Sequence, residues 1–172
     1  MELLIRDVTQ ADAAAIAEIY GFHVLHGTAS YDLEAPPEEF HRDKVNRVTA
    51  AGWPFLVAEL QGEVVGYAYV TQFRDRAAYR FTAEDSIYVH PEKLRLGIGK
   101  MLLETLIDRS VAYGFRTIIA VIGGSEPGSV ALHQACDFRE AGRMRGVGFK
   151  FGRWLDSVYM QRDLFCAPLS GD

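Results

Sequence analysis

The sequence predicts one mixed α/β domain, a central mixed β-sheet flanked by helices, and three observations carry that prediction. At 172 residues the chain is long enough for one well-buried core and too short for two independent ones. Its apolar pattern alternates between helical and extended periods, with no internal repeat, low-complexity tract or Pro/Gly/Ser linker to mark a boundary. Over residues 80–122 an extended run, a strongly apolar helical stretch and a second apolar run follow one another, which is the pattern of a right-handed strand–helix–strand crossover.

Taken in order, residues 2–6 form a short apolar strand. Thr9 and Asp12 then make a capping signal ahead of Ala13, Ile16, Ile19 and Tyr20 at helical spacing. Pro36 and Pro37 open a second helix, with Glu38 and Glu39 in its first turn where the helix dipole favours acidic groups, and it ends near Gly52. PFLVAEL and EVVGYAYVTQF, joined at Gln61-Gly62, read as a hairpin, and a further strand covers about Arg80 to Val89. From Gly97 to Tyr113 the residues Ile98, Met101, Leu102, Leu103, Leu106, Ile107 and Val111 form a wide helical stripe closed by Gly114. TIIAVI is apolar without alternation, as in a strand covered on both faces. A short helix around Val130 to Ala135 and strands near Gly142 to Phe149 and Trp154 to Arg162 complete the sheet, leaving about 165–172 as a flexible tail.

Composition narrows the function. With 49% hydrophobic and 24% charged residues the chain has the balance of a soluble globular protein, and its net charge of -5 lacks the basic footprint of a nucleic-acid partner. Cys136 and Cys166 have no Cys/His set at ligand spacing around them, so neither a disulfide framework nor a metal site is expected. MELLIRDVTQ is not a basic leader with an apolar run behind it, and no stretch is apolar enough for a membrane helix. The expected compartment is the cytoplasm.

The informative segment is SIYVHPEKLRLGIGKMLLETLI, where a strand passes through a glycine-bearing loop into the most apolar helix. Gly97 and Gly99 let the backbone approach a ligand, and the free N–H groups of the first helical turn suit a pyrophosphate. A Gly-x-Gly before a helix is also an ordinary turn, so the tripeptide alone leaves both readings open.

The surrounding residues resemble the acetyl-CoA motif of the GNAT superfamily, in which Arg or Gln, two residues, Gly, one residue, and Gly or Ala follow a strand ending in an apolar-x-Val. Here the strand end is Ile87-Tyr88-Val89 and the loop Leu94-Arg95-Leu96-Gly97-Ile98-Gly99. The likeness extends to the phosphinothricin and methionine sulfoximine/sulfone acetyltransferase group through IRDVTQADAAAIAEIY, FRDRAAYRFTAEDSIYV, SVALHQACDF and GFKFGRWLDSVYMQRDL. Leu94 stands where Arg or Gln is usual, Glu126 where Asn is common, and Asp137 where Gly usually precedes Phe138.

The resemblance implies a GNAT fold, with about six to seven strands and about four helices, and acetyl-CoA as cosubstrate with no metal. It implies cofactor contacts from Ile87, Tyr88, Val89, Arg95, Leu96, Gly97, Ile98, Gly99, Lys100, Glu126 and Ser129. Glu84 becomes the general base for the amine, and His133 the acid for the departing thiolate. A backbone N–H near Ile87 to Val89 is expected to meet the oxyanion. The amine substrate is expected against Arg74, Arg76, Tyr79, Glu84, Asp85 and Ser86, the guanidinium groups holding carboxylate or phosphinate oxygens. A homodimer is implied as well. Away from the resemblance, Glu84 reads as a solvated strand residue, His133 as a packed one and the arginines as surface groups. A polyamine, aminoglycoside or protein amine as acceptor, and a non-catalytic acyl-CoA binding module, remain the competing readings.

Overall fold

A computed structural model describes residues 2–164. The expected tail at 165–172 lies outside the described residues. Seven strands, β1 (Leu3–Asp7), β2 (Phe55–Leu60), β3 (Glu63–Gln72), β4 (Thr82–Val89), β5 (Thr117–Gly123), β6 (Arg139–Lys150) and β7 (Arg153–Asp163), form one sheet in the order β1-β2-β3-β4-β5-β7-β6. Among the described residues only β4 and β5 run parallel, joined by the crossover through α3 (Ile98–Tyr113); the other pairings there are antiparallel. The remaining helices are α1 (Ala13–His26), α2 (Glu38–Ala50) and α4 (Pro127–Ala135).

Strand periodicity of two divides the core. On one face Leu56, Ala58, Ala68, Val70 and Ala83 pack beneath Ile98, Leu102, Leu103 and Leu106 of α3, with Val130 and Leu132 of α4 joining them. On the other face Val57, Tyr67 and Tyr69 pack against Ile16 and Ile19 of α1 and Val45 and Val48 of α2, with Tyr88 alongside. Alternate residues of β4 therefore face opposite layers: Ala83, Ile87 and Val89 face α3, while Tyr88 faces α1 and α2.

The entry to α1 is built as its sequence suggests. Asp12 accepts from the Thr9 backbone N–H at 2.7 Å and from its hydroxyl at 3.0 Å, and Arg6 grips both oxygens of the same carboxylate at 2.9 Å. Two boundaries differ from expectation. Helix α4 begins at Pro127 rather than near Val130, because the Glu126 carboxylate caps it, accepting from Gly128 N at 3.1 Å and Ser129 N at 2.7 Å. Strand β6 starts at Arg139, earlier than the expected Gly142, since Arg139 and Glu140 already pair with Gln161 and Met160 of β7.

Candidate active site

The parallel pair does not stay closed. Strand β4 continues to Val89 and β5 to Gly123, yet their ladder ends at Asp85 opposite Ala120. Beyond that point β4 keeps β3 and β5 keeps β7 as partner, so the two strands part and a gap opens between them. A cleft of about 280 Å³ occupies this gap, lined by Glu84 to Tyr88 of β4, Ala120 to Gly123 of β5, Ser129 and His133 of α4, and the Ala29 to Asp32 segment of the α1–α2 loop.

At the α3 end of the gap, Gly97 sits at φ 79°, with Arg95 also left-handed at φ 63°, and no side chain caps the first turn of the helix. The left-handed conformation is why residue 97 favours glycine. Gly99 has another reason: a Cβ there would lie 3.3 Å from Leu132 Cδ2 and 3.7 Å from Val89 Cγ2. It lets α3, α4 and the end of β4 converge. The result is a helix N-terminus whose N–H groups stay available to an anion, with Leu94, Arg95, Leu96 and Lys100 exposed around it. Lys100 carries a surface ion pair with Glu104 at 3.7 Å.

Glu84 lies in the strand face opposite the buried Ala83 and is half-buried at the cleft. Burial pushes its carboxyl pKa up, the adjacent Asp85 charge adds to this, and Arg74 pulls the other way. A raised pKa suits a group that must take a proton near neutrality.

Asp85 and His133 form a buried pair, Oδ2 to Nε2 at 2.9 Å, with side chains only 1% and 3% exposed. His133 Nδ1 lies 2.7 Å from the Ser129 carbonyl oxygen. Both ring nitrogens therefore have acceptor oxygens within hydrogen-bond reach. Burial opposes its charge, but Asp85's charge and hydrogen bond together with the Ser129 carbonyl outweigh this and raise the pKa. His133, expected from the sequence as the acid for a departing thiolate, lines the cleft with both ring nitrogens next to protein partners. Asp85, expected against the amine, is turned instead to the α4 side.

The other expected residues divide by position. Ser86, Ile87, Tyr88 and Ser129 line the cleft, and the Tyr88 ring packs among Tyr20, Tyr67 and His23. The Glu126 carboxylate is occupied by its cap on α4. Arg74, Arg76 and Tyr79 are exposed and lie outside the cleft lining; Arg74 stacks over Phe73 at 4.6 Å and its charge still reaches Glu84.

One wall went unread in the sequence. The Tyr31 hydroxyl meets Ser157 Oγ at 2.8 Å, donates to the Asp156 carbonyl at 3.0 Å, or accepts from Gly124 N at 3.1 Å, tying the α1–α2 loop down over β5 and β7. Its ring lies where Cβ atoms at Gly148 and Gly123 would be, 2.7 and 2.9 Å away. Next to it, Tyr20 donates to Asp32 at 2.6 Å, and the buried Lys150 donates to the Ser30 carbonyl at 2.8 Å. The signal available was the aromatic and small-residue run GTASYD, which no local rule connects to residues more than ninety positions away.

A strand pair splays beside a glycine-turned helix N-terminus and leaves a half-buried carboxylate in the gap, an arrangement that suits acyl transfer. The family model for the acetyltransferase (GNAT) domain matches residues 5–159, and the chain belongs to this family. It is 48% identical over 162 residues to the phosphinothricin N-acetyltransferase of Alcaligenes faecalis, spanning 93% of this chain and 82% of that protein. It is 37% identical over 162 residues, 94% of this chain and 95% of the other, to the L-methionine sulfoximine/L-methionine sulfone acetyltransferase of Salmonella typhimurium. The crystal structure of a GNAT superfamily phosphinothricin acetyltransferase from Sinorhizobium meliloti in complex with AcCoA superposes with a TM-score of 0.92 at 48% identity, covering 95% of this chain and 89% of that one.

Proposed function

We propose that this chain transfers the acetyl group of acetyl-CoA to the primary α-amine of a small amino-acid analogue of the phosphinothricin, methionine sulfoximine or methionine sulfone kind. The observation that carries the reading is the gap beyond Asp85 and Ala120, with Glu84 in its lining and the uncapped N-terminus of α3 packed beside Val89 at the end of β4. The donors fit acetyl-CoA: main-chain N–H groups of residues 97–100 for the diphosphate, and strand backbone of Ile87 to Val89 for the arm. The names of the relatives and the AcCoA in the Sinorhizobium meliloti structure support the same choice.

In the reaction the amine nitrogen bonds to the acetyl carbon, the carbon–sulfur bond breaks and CoA departs. Glu84 takes the ammonium proton, directly or through a water, and a main-chain N–H of the Ile87 to Val89 segment meets the oxyanion. In this reading Arg74, whose charge reaches Glu84, receives the acid or sulfone oxygens of the acceptor. Cytoplasmic placement and a homodimer belong to this reading; the exposed Phe149, Phe151 and Trp154 of the β6–β7 hairpin supply an apolar patch for a second copy.

One feature favours a second acceptor class. Asp32, Glu84 and Asp85 line the cleft and no Lys or Arg does, among the described residues, which suits a polyamine. Release of CoA thiol from acetyl-CoA, followed against a panel of amines, separates the two. Turnover confined to amino acids with an acidic or sulfone side chain supports the first reading, and turnover confined to polyamines replaces it.

A further inference from the structure

Lys150 is only 4% exposed, although a lysine is seldom buried unless something holds its charge. It closes β6, and its ammonium donates to the Ser30 carbonyl at 2.8 Å and lies over the Phe151 ring at 5.2 Å. A methionine would fill the same space with a similar unbranched stem, so packing alone does not ask for a charge at this position. The charge makes the bond to Ser30 stronger than a neutral donor would.

The strand is shaped to deliver that bond. Met144 pairs with Ser157 and Gly148 with Leu155, so β6 advances four positions where β7 advances two, and a bulge of this kind bends a strand and re-aims its side chains. Beyond the bulge Gly148 and Lys150 share one strand face. Two consecutive loop residues sit on them. Tyr31 covers Gly148, where a Cβ would come within 2.7 Å of its ring, and Ser30 covers Lys150.

Ser30 in turn holds a wall of the cleft together. Its hydroxyl lies 2.8 Å from the Tyr20 hydroxyl and accepts the Asp32 N–H at 3.1 Å, while Tyr20 donates to the Asp32 carboxylate at 2.6 Å. Tyr20, Ser30 and Asp32 all line the cleft. The Tyr20 ring meets Tyr88 edge-on at 5.1 Å, and Tyr88 shares its face of β4 with Glu84 by the period of two. This wall therefore stands on the side of the cleft that carries Glu84.

Resting on the acetyl-transfer reading above, we propose that Lys150 is a positioning residue for the acceptor: through the Ser30 carbonyl it sets the Tyr20–Ser30–Asp32 wall at the spacing from Glu84 that the amine substrate needs. Lys150 does not line the cleft and acts only through the loop. The glycine turn into α3 packs against Leu132 and Val89 instead, so acetyl-CoA affinity does not depend on it.

The test reads acceptor KM, kcat and calorimetric acetyl-CoA affinity in wild type, Lys150→Met, Ser30→Ala and the double variant. The acceptor is whichever of phosphinothricin, methionine sulfoximine and methionine sulfone the wild type turns over fastest. Removing the charged donor from Ser30 is expected to raise acceptor KM by about tenfold or more, with acetyl-CoA affinity unchanged. Because both residues act on one wall, the KM effect in the double variant is smaller than the product of the single effects. An unchanged acceptor KM, a matching loss of acetyl-CoA affinity, or single effects that multiply overturns the proposal. Should Lys150→Met not fold, Lys150→Gln, which shortens the side chain and removes the charge, is held to the same requirements. Wild type that turns over none of the three amines removes the acetyl-transfer reading itself, whereas wild-type turnover with an unaffected variant removes only the role given to Lys150.

Discussion

Asp85 Oδ2 lies 2.9 Å from His133 Nε2, joining β4 to α4 at the residue where the parallel ladder stops. Removing one member of such a pair leaves a buried group uncompensated, which costs about 3–5 kcal/mol. Urea denaturation of Asp85→Ala at neutral pH is expected to register a loss of that order. The pair also has a pH signature. The folded pKa of His133 is raised, so its contribution is complete below the unfolded histidine value of about 6.5 and fades as pH rises through the folded value. Wild-type urea midpoints should fall across that alkaline window, and a His133→Phe variant should lack this component.

Glu84 must be ionised to take a proton, and burial and Asp85 hold its pKa above the ordinary carboxyl range. Glu84→Gln is expected to reduce kcat/KM by about a hundredfold or more, with the acid limb of the pH–rate profile flattened. Arg74 acts on Glu84 in the opposite direction, so Arg74→Gln should move that limb to higher pH and raise KM for the acceptor. An acid limb unmoved in Arg74→Gln would break the link between the two residues.

Tyr31 and Gly148 are matched in shape. A Cβ at residue 148 would lie 2.7 Å from the Tyr31 ring, so Gly148→Ala must displace the loop that walls the cleft. Overpacking of this kind costs about 1–3 kcal/mol, and KM for the amine should rise while acetyl-CoA binding stays near wild type. Tyr31→Phe retains the ring and loses the hydroxyl's partners, so it should be the milder variant in both thermal melting and KM.

Gly97 at φ 79° has open space around its Cβ direction, so Gly97→Ala is strained by conformation alone, by about 1–2 kcal/mol. Because the strained turn presents the first amides of α3, acetyl-CoA affinity should drop along with stability. Gly99→Val instead meets Leu132, and repacking there should disturb the approach of α3 to α4.

These contrasts mark what could be read in advance. The seven strands and four α-helices were legible, because each carries its period locally: the stripe from Ile98 to Val111 and the unbroken TIIAVI leave little choice. The turn into α3 was legible through its glycines, but at Gly99 the structure shows packing against Leu132. Glu84 falls in the cleft as expected. Asp85 and His133 are separated by 48 positions, and no spacing rule could have disclosed that each occupies the other. The same holds for Tyr31, whose partners Gly124, Gly148 and Ser157 are supplied by three different strands or their ends. Tertiary pairing, absent from any local pattern, decides these groups.

Mass spectrometry of the products after incubation with acetyl-CoA and phosphinothricin, methionine sulfoximine or methionine sulfone tests the central claim most directly. An acetyl group on the α-nitrogen of at least one of them, matched mole for mole by free CoA and lost in Glu84→Gln, is the expected result. Folded protein that binds acetyl-CoA yet leaves all three acceptors unmodified would contradict it.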